Sequence, residues 1–129
     1  MEINASKDYF RALGYLVYSI SKVDGELSAE EAQGLAQEIL DSFGDWVADT
    51  KGLATLAAYE AALNNNMEPT EAYQKALELF NNCPEDVREY RLELLGVIER
   101  VAFSDQKFTL SEKNFMQQLK EDLDKIAKI

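Results

Sequence analysis

From Tyr9 to Ile126 the apolar residues of this chain recur at intervals of three and four, the period of an amphipathic helix. Nowhere do they alternate with polar residues as a half-buried strand requires. Tyr9, Phe10, Leu13, Leu16, Val17 and Ile20 predict a first helix running to about Lys22, and Ala32, Leu35, Ala36, Ile39, Leu40 and Phe43 a second from about Ala29. Residues 45–66 carry one or two more, with Trp46, Val47, Leu53, Leu56, Ala57 and Leu63 as expected core. Pro69 suits the first position of the next helix, which uses Ala72, Tyr73, Ala76, Leu77 and Phe80. Pro84 opens another, with Glu85 and Asp86 against its positive end and Val87, Tyr90, Leu94, Leu95, Ile98, Val101 and Ala102 inward. A last helix starts near Leu110 and buries Phe115, Met116, Leu119, Leu123 and Ile126. The expected fold is all-α, a single compact bundle of about six or seven helices over residues 1–129.

A net charge of −11 works against two classes of partner. Nucleic-acid phosphates need clustered Lys and Arg, and anionic lipid repels an acidic surface. Divalent cations or a basic protein partner fit better. The most apolar early run, "ALGYLVYSI", is nine residues long and broken by Gly, Tyr and Ser, whereas a membrane span needs about 20. "MEINASKDYF" lacks a basic stretch leading into an apolar one, so no signal peptide is expected. The lone Cys83 has no disulfide partner within the chain. A cytoplasmic protein is the expectation.

Two turns share a pattern. In "KVDGELSAEE" Asp24, Ser28 and Glu31 stand at relative positions 0, +4 and +7, and in "SDQKFTLSEK" Asp105, Thr109 and Glu112 do the same, 81 residues later. Upstream, Leu16, Val17 and Ile20 match Val97, Ile98 and Val101. The chain therefore contains two pseudo-repeated helix–turn–helix units with residues 44–83 between them. Ser28 with Glu31, and Thr109 with Glu112, fit the capping box, in which the hydroxyl accepts a helix N–H and the glutamate reaches back. Replacing Ser28 or Thr109 with alanine should each cost about 1 kcal/mol, read as a lowered denaturant midpoint. Unmoved midpoints would mean that the helix starts are misplaced. Gly25 suits a sharp helix end, and Leu27 and Phe108 sit where a hydrophobic staple would. Capping does not account for Asp24 and Asp105, which follow helices whose negative ends disfavour a carboxylate.

"KVDGELSAEE", on a turn between two apolar helices, resembles the DG-x-[hydrophobic]-x-x-x-E signature of TerB-like tellurite-resistance domains. A related domain precedes the J-domain of some membrane-anchored DnaJ-type co-chaperones. "AFSDQKFTLSEKNF" resembles the second acidic turn of that family, with Gln106 where the first copy has Gly25. The resemblance implies a non-enzymatic all-α module linked to stress resistance, acting through protein contacts and divalent metal. Carried over by match, the metal candidates are Asp24, Glu31, Asp105 and Glu112.

Carboxylates are hard oxygen donors suited to Ca²⁺, Mg²⁺ or Mn²⁺. An EF-hand is excluded, because a loop starting at Asp24 puts Ala29 at the glycine position and Leu35 at the bidentate glutamate. The chain has no histidine, which removes Ser-His-Asp, Cys-His and HExxH sites. Cys83 beside Pro84 reads as a buried small residue or a cap, and the six tyrosines as core-edge residues with hydroxyls at water. Two other readings stand beside the metal-binding module: a small carboxylate-based hydrolase, and a purely structural domain whose acids only cap helices.

Overall fold

The run "ALGYLVYSI", too short to span a membrane, lies at the centre of the molecule. A computed structural model describes residues 5–22, 49–102 and 110–128. These contain five helices: α1 (Lys7–Lys22), α2 (Asp49–Asn64), α3 (Pro69–Asn81), α4 (Pro84–Ala102) and α5 (Leu110–Ala127). The helix expected from Ala29 lies outside the described residues. Within residues 49–64 there is one helix, and no strand occurs among the described residues. None of the described helices is long and apolar enough to cross a membrane.

Every residue from Ala12 to Ile20 is buried. A helix apolar all round must be enclosed, and α1 is enclosed by α2, α3 and α4. Side-chain contacts fix the directions. Along α1 and α2, Phe10 meets Thr55, Gly14 meets Ala58, and Tyr18 meets Tyr59, so the two helices run the same way. Helix α3 runs the other way, with Phe80 against Tyr9 and Pro69 against Ser19.

The turn between α2 and α3 explains that reversal. Asn66 adopts φ 48°, and the Met67 N–H reaches back to the Ala62 carbonyl at 3.1 Å while Asn66 N–H reaches Leu63 at 3.1 Å. These are the paired bonds of a Schellman cap, and asparagine tolerates the left-handed conformation they need. Pro69 then starts α3, where its missing N–H costs nothing.

The α2 core departs from expectation. Leu53 is 59% exposed, and Ala57 is also exposed. The buried stripe is Ala54, Thr55, Ala58, Tyr59 and Ala62. At Gly14 helix α1 comes close to the backbone of α2, opposite the small Ala58. A Cβ at Gly14 would lie 2.3 Å from the Thr55 carbonyl oxygen.

Helices α4 and α5 form an antiparallel hairpin. The Arg88 guanidinium donates to the Ala127 carbonyl from Nε and Nη2, at 3.0 and 2.8 Å, closing the end of α5. Arg91 pairs with Asp124 one turn further along. Inward-facing Val87, Leu94 and Ile98 of α4, with Met116, Leu119 and Leu123 of α5, join the same hydrophobic cluster as α1. The expected inward stripes of α3, α4 and α5 are thus largely those observed.

Candidate functional site

The directions of α1 and α4 decide which end of the bundle can hold a site. At their starts, the Ser6 N–H donates to Asp86 Oδ2 at 2.9 Å, and the Tyr9 hydroxyl donates to the Tyr90 carbonyl at 3.3 Å. At their other ends, Ser19 of α1 shares a cleft with Ser111 of α5, and Glu99 of α4 shares a second hollow with Lys113 and Met116. The end of α1, the end of α4 and the start of α5 therefore gather at one end of the bundle.

Tyr9 and Tyr90 are separated by 81 residues, the offset that relates the two acidic turns. Their rings meet edge to face with centroids 6.1 Å apart. The sequence match rested on Leu16, Val17 and Ile20 and overlooked this tyrosine pair, although the same offset would have found it.

Of the four metal candidates, Asp24, Glu31 and Asp105 lie outside the described residues, as do Ser28 and Thr109. Glu112 is the third residue of α5, the position a capping-box glutamate takes. It is only 5% exposed, unusual for a carboxylate. Among the described residues, no three Cys, Asp or Glu side chains gather closely enough to hold a metal.

The cleft between α1, α3 and α5 has a volume of about 410 Å³. Its walls include Ser19, Tyr73, Gln74, Ser111, Asn114 and Phe115, and among the described residues no charged side chain lines it. Tyr73 and Phe115 meet edge to face at 5.4 Å. The Tyr73 hydroxyl donates to Asp122, which also accepts from Gln118 at 3.1 Å. Burial, and then that bond to Asp122, raises the Tyr73 pKa well above the ordinary phenol value.

The tyrosines correct the expectation that their hydroxyls would face water. Tyr9, Tyr18 and Tyr59 are fully buried. A buried phenol needs an acceptor, and irregular backbone supplies two. Tyr90 interrupts α4 with φ −110° and ψ 17°, and its carbonyl accepts from Tyr9. Met67, just past the left-handed Asn66, offers its carbonyl to Tyr18 at 2.8 Å. Neither irregularity shows in the apolar pattern.

Cys83 is buried, with Sγ 3.5 Å from the Leu79 carbonyl, and its own carbonyl accepts the Val87 N–H at the start of α4. Burial pushes the thiol pKa up, opposed by a hydrogen bond with Ser6 and aided by Asp86 and Asp8. A thiol in those surroundings is a poor nucleophile, as the reading of a small buried residue implies.

The family model described as Tellurite resistance protein TerB matches residues 10–124. No curated protein and no solved structure matches the chain.

Proposed function

Because the chain belongs to the TerB family, we propose that it is a non-enzymatic module of stress resistance that contacts a protein partner and holds a divalent cation between its two acidic turns. One observation carries this reading: α1 and α4 run the same way, so the described residues that precede the two acidic turns in sequence end on the same side of the bundle. Asp24 follows the last residue of α1 by two positions, and Asp105 follows that of α4 by three.

The donor chemistry fits a hard cation. Asp24, Glu31, Asp105 and Glu112 would supply carboxylate oxygens, the ligands Ca²⁺, Mg²⁺ and Mn²⁺ prefer. Glu112 is buried at the third position of α5, where a carboxylate withdrawn from water is compensated by positive charge or hydrogen bonds. The first α5 turn supplies some, since its unsatisfied N–H groups attract negative charge. A cation would tie the two turns together and draw the repelling carboxylates into one fixed geometry. The absence of histidine from the sequence and the burial of Cys83 favour a binding role over acid–base or thiol catalysis.

The test compares unfolding free energies of wild type, Glu31→Gln, Glu112→Gln and the double mutant, with chelator and with millimolar Ca²⁺, Mg²⁺ or Mn²⁺. Converging acids repel one another, so each single change should stabilise the cation-free protein near neutral pH, with non-additive effects. Cation should stabilise wild type by about 2.7 kcal/mol at roughly a hundredfold excess over Kd, and the mutants less. Additive losses without any cation response would show the glutamates to be helix caps alone.

A further inference from the structure

We propose that the cleft between α1, α3 and α5 docks a basic peptide segment of a partner protein through one aromatic side chain. The cleft volume of about 410 Å³ lies within the roughly 300–1,000 Å³ of ordinary binding pockets. That is ample for one tryptophan or tyrosine. The walls that the described residues form carry no charge to pair with an inserted ion, whereas the Tyr73–Phe115 pair offers ring edges to an aromatic guest. Gln74 and Asn114 are exposed on opposite walls, and their amides can both donate to and accept from a peptide backbone.

Charge selects the rest of the occupant. Exposed Glu68 and Glu71 adjoin the lining residues Pro69 and Thr70 in sequence, and half-buried Asp122 accepts the Tyr73 hydroxyl. Among the described residues the nearby lysines are turned elsewhere, Lys22 to Asn66 Oδ1 at 3.0 Å. Lys75 lies over the Tyr15 ring at 5.9 Å, and Lys113 faces the second hollow, beside Glu99. A cleft without charge among its described walls, with exposed acids nearby in sequence and a chain of net charge −11, matches a segment whose aromatic anchor is flanked by Lys or Arg.

This assignment rests on the partner-contact part of the proposed function and is independent of the cation. The probe is a short lysine-rich peptide with one central tryptophan, titrated in chelator and followed by dye anisotropy and by amide shifts of the labelled protein. Saturable binding should shift Thr70, Gln74, Ser111 and Asn114. Affinity should fall about tenfold or more when the peptide tryptophan becomes alanine, as for a hot-spot anchor. It should fall similarly when glutamates replace the peptide lysines. Asn114→Trp or Gln74→Trp, each placing a ring in the cleft from an exposed position, should abolish binding with unchanged melting midpoints. Absent binding, or equal affinity without the peptide tryptophan, would overturn the proposal. So would equally tight binding of N-acetyltryptophanamide, which marks a small-molecule pocket, or self-association lost in Asn114→Trp, which marks a second copy. A cation response that survives a failed peptide titration sinks the cleft assignment alone.

Discussion

Replacing Gly14 with alanine should cost about 2–3 kcal/mol, although alanine is the better helix former by about 1 kcal/mol. The clash term wins because of what the new methyl meets. Its carbon would stand 2.3 Å from the Thr55 carbonyl oxygen, 2.9 Å from Ala58 Cβ and 3.1 Å from the Tyr59 nitrogen. Two of those atoms are backbone, so α2 must move as a whole to make room. That movement would stretch the 2.8 Å bond from Thr55 Oγ1 to the Phe10 carbonyl and loosen Tyr18 from Tyr59. A domain of this size has about 5–15 kcal/mol in all, so urea denaturation would register the change plainly. Gly96 is the control, with nothing within 4 Å of an added Cβ. Alanine there should stabilise by about 0.5–1 kcal/mol. Equal effects at the two positions would refute the close approach of α1 to α2.

Above about pH 10 the fold should lose stability steeply, because tyrosines ionise in the unfolded chain first. Burial raises the Tyr9 pKa far above its ordinary value and pushes Tyr59 up to about 12. Between pH 10 and 12 the unfolded state therefore releases protons that the folded state keeps. The stability these groups contribute is fully present below the unfolded pKa and falls as pH rises. Each of these two tyrosines gives a slope of about 1.4 kcal/mol per pH unit, hence about 2.7 together. Half-buried Tyr73 acts in the same direction with a smaller effect. Tyrosinate absorbance and helix content, followed together from pH 8 to 12, should show these groups ionising only as the helices melt. Tyr9→Phe should make the decline shallower by its own share. Ionisation of all six tyrosines near pH 10 with helices intact would contradict the burial.

The candidate site was legible to different depths. Glu112 stood out as the fourth residue of a capping box, and α5 places it third in the helix and buries it. The matched spacing of Asp24 and Asp105 pointed to duplication without saying how the copies pack. That depends on the shared direction of α1 and α4, which Ser6 with Asp86 and Tyr9 with Tyr90 establish. The cleft was beyond sequence reasoning, since its walls come from three helices and its residues are individually ordinary.

Helix type and helix ends were written locally. The end of α1 at Lys22, the prolines opening α3 and α4, and the start of α5 at Leu110 all lie where the sequence places them. Periodicity and the missing proline N–H act within a few residues of chain, so they can be read without the partner. Only the tertiary structure decided that Leu53 faces outward while Thr55 is buried, that Tyr9 and Tyr18 turn their hydroxyls inward, and that Arg88 closes α5. Each of those outcomes depends on an atom many residues away. Whether a side chain gains by burial is set by how closely the facing helix comes and what acceptors it exposes. Gly14 sets that distance for α2, and the irregular backbone at Tyr90 and Met67 provides the acceptors.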